Sequence, residues 1–591
     1  MAAVIAPRLE WLLPEPLLDP PTFSGFTAPV ATLLARRGFQ TDEDLARFLD
    51  AGATTMHPIS LMADAEAALD RIDRAIGSDE RIAIWGDYDA DGISSIAVWV
   101  LGLRALGVEP ERYVPSRWSE GYGLSQTGLT ALAERGVRLV VTCDCGIANV
   151  AEVEIARSLG LDVVVTDHHL PGPMLPRASA VVDPHRADCS YPDQDLTGAG
   201  LSFKLATALL ARHGLSVADL AGVAAIGTVA DLAPMTGESR AIVRLGLQQL
   251  AATVRPGLVA LLERSAADPS HPSAHDLGFS IAPRINAAGR IAESELALRL
   301  LVSDDRVEAA ALAEELDSVH ARRRELTTAA VDEARELADA QPGGDGPILL
   351  RNDAWAPGLI GLVAGRIADQ RARPVGVVCA VDDELRGSVR APGDFHVAAA
   401  LEACAGLLTK RGGHAAAGGF SLVDANWPAF AAAFGNLPRP YPPSRALTRE
   451  RPGQLSVDLV LPSSRLDWSL AAQLDRLRPY GPGNVEPVIA VTGMRVTSAR
   501  RVGVGEAHIG FRMRRGLETF DAVAFGTPAE RPLPEPDDAL DLVGTLERDS
   551  FQGIERLRLR VIDYAHSQVS PLLARRLTQA TPAPALAAAA G

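Results

Sequence analysis

Three aspartates, Asp87, Asp89 and Asp91, crowd into the seven residues GDYDADG at 86–92, directly after the apolar run RIAIW. Carboxylates this close repel one another, and divalent cations turn that repulsion into coordination. A helix N-cap needs one aspartate, not three. Asp144 in TCDCG and Asp167 in VVTDHH each follow another β-branched run. All three acidic sites should therefore gather at the carboxyl ends of parallel strands, the edge at which open α/β sheets bind ligands. His168 and His169 add imidazole nitrogens, a combination suited to Mn²⁺ or Zn²⁺ more than to Ca²⁺. Asp231, in GTVADLAP at the end of an apolar helix, is either a further ligand or a cap. Carboxylates with imidazole and no thiolate pattern favour two divalent ions roughly 3.5–4 Å apart that activate water and stabilise a leaving oxygen. Phosphoester hydrolysis is the reaction most often built this way.

The elements that must position these residues follow from hydrophobic period. Between Arg81 and Asp183, short β-branched runs alternate with helical periods, which predicts a parallel sheet with crossover helices. In the helix after the first strand, Ile93, Ile96, Ala97, Val100 and Leu101 should form the buried face. Residues 303–340 read as one long charged helix joining two globular parts, and a second α/β pattern begins at ILL. After the proline-rich stretch 438–453, five or six alternating strands predict a small β-barrel of OB-fold type. The resulting division is an N-terminal extension at 1–50, a first α/β domain at 51–265, a linker region at 266–340, a second α/β domain at 341–440, the barrel at 453–565, and a disordered tail at 566–591. The fold class is thus α/β, with two α/β domains joined by a long helix around a cleft, plus the barrel.

Composition narrows the function. The chain has 591 residues with 57 basic against 74 acidic side chains, net −17, so any polyanion must be met by a local basic lining. Lysine occurs only at Lys204 and Lys410, so nearly every basic side chain is arginine, the better bidentate phosphate ligand, although the codon bias of a GC-rich genome explains the excess equally well. Five irregularly spaced cysteines fit neither a disulfide framework nor a four-thiolate zinc site, and a reducing cytoplasm is expected. The N-terminus lacks the apolar core of a signal peptide, and no uncharged apolar run approaches ~20 residues, so no membrane association is expected.

DYDADG, TCDCG, TDHH and GTVADLAP, in this order, resemble the successive motifs of the DHH phosphoesterase superfamily. RINAAGR (284–290), GSVR (387–390) and KRGGHAAAGG (410–419) resemble the DHH-associated second domain. SRWSEGYGL (116–124) and LRPYGPGNVEP (477–487) look like the bacterial single-strand-specific exonucleases of that superfamily, and the resemblance covers residues 50 to 565. It implies that Asp89, Asp91, Asp144, His168 and Asp231 ligate two Mn²⁺ or Mg²⁺ ions, with Asp144 bridging and Asp87 a less certain ligand. Asp144, Asp167, His168 and His169 form the implied catalytic set, in which Asp167 orients the histidines and His169 faces the scissile phosphate or stands behind the ligands. Nucleic-acid contacts fall to Arg284, Asn286, Arg290, Ser388, Arg390, Gly412, Gly413, His414, Arg117 and Tyr122.

The implied activity is 5′→3′ exonucleolytic hydrolysis of single-stranded DNA to 5′-mononucleotides in repair and recombination, by a monomer cooperating with a helicase and a single-strand-binding protein. Alternatives are a DHH phosphodiesterase of short oligonucleotides or cyclic dinucleotides, and a non-catalytic DNA-binding relative. Two positions depart from the pattern: Trp85 stands where many relatives have histidine, which predicts a weaker second metal site, and Gly289 where serine is expected, at little cost.

Overall fold

The computed structural model describes residues 4–572, apart from 18, 53–54, 118–119, 266–267, 342, 442–452, 516–517 and 552–553. The middle of the proline-rich stretch and tail residues 573–591 therefore lie outside the described residues. The chain divides into two compact units, Ala51–Arg449 with Gly481–Asn484, and Met1–Asp50 with Glu450–Tyr480 and Val485–Gly591. No single helix among the described residues is long and apolar enough to cross a membrane.

In the first unit, β1 (Arg81–Gly86), β2 (Glu111–Tyr113), β3 (Val137–Cys143), β4 (Asp162–Thr166) and β5 (Ala180–Val182) form a parallel sheet in the order β2-β1-β3-β4-β5. Register sets Gly86 beside Cys143 and Thr166 beside Val182. Strands β1, β3, β4 and β5 are each followed at once by an aspartate: Asp87, Asp144, Asp167 and Asp183. Helix α1 (Ala90–Ala105) packs against α2 (Gly198–Arg212) and α3 (Leu220–Ala230). The expected five-residue buried stripe of α1 is too narrow, because every residue from Ala90 to Leu103 is buried. A helix covered by a sheet on one side and by two helices on the other has no solvent face, and its sequence accordingly reads apolar all round.

Beyond α4 (Ala282–Ile291), the 34-residue helix α5 (Arg306–Asp339) leads into the second α/β domain. That domain holds β6 (Ile348–Arg351), α6 (Ile360–Arg371), β7 (Val375–Val381), β8 (Glu384–Arg390), β9 (Lys410–Gly413) and β10 (Ala417–Val423), with sheet order β9-β10-β8-β7-β6. The glycine-rich KRGGHAAAGG forms β9, an exposed edge strand, the short turn after it and the start of β10.

The second unit contains a closed five-stranded barrel of β11 (Ile489–Val502), β12 (His508–Arg515), β13 (Glu518–Ala524), β14 (Ala539–Phe551) and β15 (Ile554–His566), ordered β11-β12-β13-β15-β14 and closed by β14 pairing back to β11. This is the OB-fold topology, with β13 and β15 parallel. Residues 1–50, set apart by the sequence reading, belong to this unit. Glu10–Leu12 pairs in parallel with Gln454–Ser456, and the buried Asp563 carboxylate accepts from the Trp11 indole at 3.0 Å and from the Arg8 amide at 2.8 Å. Val30, Leu33 and Leu34 of the N-terminal helix enter the barrel's core. Ser567 and Leu572, placed in the tail by the sequence, are packed instead: Ser567 donates to Asp541 at 2.7 Å and Leu572 is fully buried.

Candidate metal centre and neighbouring arginines

The aspartate after each strand opens a loop that cannot continue the ladder, so its carboxylate is free to turn toward the sheet's carboxyl edge. Asp89 caps α1, accepting from the amides of Asp91 at 2.9 Å and Gly92 at 3.1 Å. Asp91, two residues on, is held by the first turn of α2, with Gly198 N donating at 2.8 Å and Ala199 N at 3.0 Å. Asp144 takes the left-handed conformation, φ 62°. His168 Nε2 lies 3.0 Å from Asp144 Oδ1, 3.8 Å from Asp91 and 3.9 Å from Asp231, the residue ending α3. Asp167 is the organiser: its Oδ1 accepts from the amides of His168 and His169 and pairs with His169 Nδ1 at 2.8 Å, while its Oδ2 accepts from Ile147 N. Tyr122 donates its hydroxyl to the Asp144 carbonyl at 3.0 Å and lies 3.1 Å from His169 Nδ1.

Three groups bring their ligand atoms within 4.8 Å of one another: Asp87–Asp89–Asp144, Asp91–His168–Asp231 and Asp144–His168–His169. Burial, then neighbouring carboxylates, push Asp87, Asp91 and Asp144 well above the ordinary carboxylate range, and Asp231 up to about 6. Burial holds His168 down at about 4, so its ring is neutral and able to ligate at neutral pH. His169 rises to about 9: burial opposes this, but the hydrogen bond and charge of Asp167 prevail. Asp87 Oδ1 is buried with no hydrogen-bond partner. Buried carboxylates that crowd one another, one with an orphaned oxygen, and a donor set of only oxygen and imidazole nitrogen fit hard divalent cations.

The arginines sort differently from expectation. Arg284 is not brought to this centre, since its guanidinium is spent on Asp317 at 2.7 Å and on the carbonyls of Ser280 and Arg264. Asn286 reaches the acidic loop rather than open space, accepting from Ala90 N at 2.9 Å and thereby fixing the start of α1. Arg117 lies 4.0 Å over the Tyr88 ring. Arg290 donates to the Gly358 carbonyl at 2.9 Å, and Arg390 to Ser388 Oγ and the Val389 carbonyl, each at 2.9 Å. Burial, then Arg117, Arg323 and Arg390, lower Arg290 to about 10, and burial with Arg117 lowers Arg390. Three partly desolvated cations without an ion pair among the described residues call for an anion. The first turn of α6 adds its positive end there, since a Cβ on Gly361 would sit 3.1 Å from Arg390 Nη2. Gly412 and His414 lie exposed on β9 and the turn after it, and Gly413 ends that strand.

Trp85 is wholly buried on the sheet's other side, stacked on Tyr113 at 3.9 Å and donating to the Gly123 carbonyl. Gly289 is less neutral than expected: a Cβ there would stand 2.5 Å from the Tyr88 carbonyl oxygen and 2.8 Å from Ser294 Oγ, so glycine is what lets α4 approach the acidic loop. The sequence reading passed over Asp183, which is fully buried, accepts from His185 N at 2.7 Å, and is pushed up to about 7 by burial. Its position directly after an apolar strand was the available signal.

The parallel sheet with aspartates at its carboxyl edge and paired histidines defines a DHH-type protein, and residues 81–228 match the DHH family, N-terminal domain. Residues 345–436 match the DHHA1 domain and residues 457–563 the RecJ OB domain. The chain is 35% identical over 547 residues to the single-stranded-DNA-specific exonuclease RecJ of Bacillus subtilis, covering 92% of this chain and 68% of that one. It is 33% identical to the Escherichia coli enzyme of the same name, covering 90% and 94%. The crystal structure of Thermus thermophilus RecJ in complex with Mn²⁺ superposes with a TM-score of 0.76 at 32% identity, covering 94% of this chain and 79% of that one. The chain belongs to the RecJ family.

Metal and pH are linked at this centre. Folded-state pKa values raised above the unfolded ones mean that the metal-free fold binds more protons than the unfolded chain, so its stability falls as pH rises. A divalent cation removes that penalty. The rise in melting temperature on adding Mn²⁺ is expected to be larger at about pH 8 than at about pH 6. An equal rise at both would contradict it.

Proposed function

We propose that this protein is a 5′→3′ exonuclease of single-stranded DNA that hydrolyses phosphodiester bonds with two divalent cations, Mn²⁺ or Mg²⁺, and releases 5′-mononucleotides. The observation that carries the reading is the pairing of a buried carboxylate–imidazole centre with arginines that have no carboxylate partner among the described residues. The name borne by the curated relatives, single-stranded-DNA-specific exonuclease, supports the substrate.

On this reading Asp87, Asp89 and Asp144 would hold one cation, and Asp91, His168 and Asp231 the other. When bound, the ions polarise the phosphodiester and lower the pKa of a water. Asp167 locks His169 by its Nδ1, leaving Nε2–H to donate to a phosphate oxygen. Arg117, Arg290, Ser388 and Arg390 bind and orient phosphates of the strand, while Gly412, Gly413 and His414 line its path. Tyr122 and Asn286 position the centre rather than touch the strand. The barrel contributes mainly by stacking, because several of its surface arginines are already paired, such as Arg558 with Glu547 at 3.2 Å. A monomer of this kind needs strands opened by a helicase and must share them with a single-strand-binding protein.

The test is to incubate 5′-labelled and 3′-labelled single strands, and their duplexes, with Mn²⁺ or with EDTA. Mononucleotides from the 5′ end of single strands with Mn²⁺ alone are expected; intact DNA with Mn²⁺ would favour a protein that only binds. Arg390→Ala is expected to weaken strand binding and to reduce the slope of log affinity on log salt by about 0.7. An unchanged slope would remove Arg390 from the phosphate contacts.

A further inference from the structure

A single turn of π-helix, Leu277–Ile281, runs without a break into α4. Such turns are rare and concentrate at functional sites. This one buries Leu277 and Ile281 but turns Phe279 outward, 75% exposed, with its ring stacked against His275 at 4.6 Å between centroids and 25° between planes. The turn packs on α3, where a Cβ on Gly278 would lie 3.3 Å from Val229, two residues before Asp231. Leu232, the residue after Asp231, is 70% exposed and left-handed at φ 60°, a conformation costly for leucine. Two large apolar side chains are thus displayed to solvent by unusual backbone beside the residue that ends α3. Further along, the same helical run carries Asn286, which fixes the acidic loop, and Arg290.

We propose that Phe279, backed by His275, is a stacking platform for a base of the single strand. The inference rests on the nuclease reading above and deepens it. A strand whose phosphates lie against the arginines and the carboxylate centre must turn its bases elsewhere, and a flat aromatic face at the rim receives one. A base stacked within a duplex has both faces covered, so the platform favours unpaired strands whatever their sequence.

The test compares the full-length protein with F279A and F279W for equilibrium binding of a fluorescent oligothymidylate and of an abasic strand of equal length. F279A is expected to bind oligothymidylate about tenfold more weakly, F279W to restore the affinity, and the abasic strand to bind the unsubstituted protein and F279A alike. Equal binding of oligothymidylate by both, or an equal loss on the abasic strand, would overturn the platform. Cleavage by the unsubstituted protein, read on the same samples with Mn²⁺, tests the nuclease reading separately.

Discussion

Asp144→Asn is expected to lower turnover of single-stranded DNA by about three orders of magnitude or more, equivalent to roughly 4 kcal/mol of transition-state stabilisation, while the metal-free fold becomes no less stable. Asparagine is the substitution of choice because position 144 sits at φ 62°, which asparagine tolerates at less cost than alanine. Asp144 is shared by two of the three ligand groups and lies 3.0 Å from His168, so its loss weakens both halves of the centre together. Stability should not suffer, because its carboxylate is buried among Asp91, Asp89, Asp87 and Asp167, whose charges all oppose its own. Removing that charge relieves repulsion in the absence of metal. Turnover at saturating Mn²⁺ and melting in EDTA check the two halves of the prediction. Activity within tenfold of the unsubstituted protein would exclude a shared ligand at this position.

The second large effect concerns stability alone. Glu238 is 2% exposed and accepts from Lys204 Nζ at 3.0 Å, from the Tyr191 hydroxyl at 2.7 Å and from the His57 amide. Lys204 is buried too, so Glu238→Ala leaves an ammonium in the core with only the His57 carbonyl and the Tyr191 ring, 5.5 Å away, among the contacts of the described residues. Breaking a buried pair this way costs about 3–5 kcal/mol. The double variant Lys204→Met, Glu238→Leu removes both charges and should recover most of that loss. Urea denaturation separates the cases, and a single variant less than about 1 kcal/mol below the unsubstituted protein would show that water reaches the pair.

What the sequence discloses and what it hides differ by range. Asp87, Asp144 and Asp167 were legible because each closes a β-branched run, a local signal that places the residue at a known edge of the sheet. Asp231 could be read only as ligand or cap, and its approach to His168 needed three dimensions. Asn286 and Arg284 looked like substrate contacts because a motif gives residue types without their partners; in the fold one pins Ala90 and the other pairs with Asp317. Strand β2 escaped because Glu111–Tyr113 is three residues with two charges and no apolar run. The attachment of residues 1–50 to the barrel rests on contacts such as Trp11 with Asp563, more than five hundred residues apart, which no periodicity can reveal. Lys204 and Glu238 were invisible for the same reason.

The carboxylates and His168 at the sheet's edge are arranged to hold a pair of divalent cations. Anomalous scattering at the manganese edge, from crystals of the full-length protein grown with Mn²⁺, tests it most directly. Two peaks roughly 3.5–4 Å apart are expected, with Asp144 between them, Asp87 and Asp89 on one side and Asp91, His168 and Asp231 on the other. A map with no peak at these side chains, or with manganese bound only elsewhere on the protein, would contradict it.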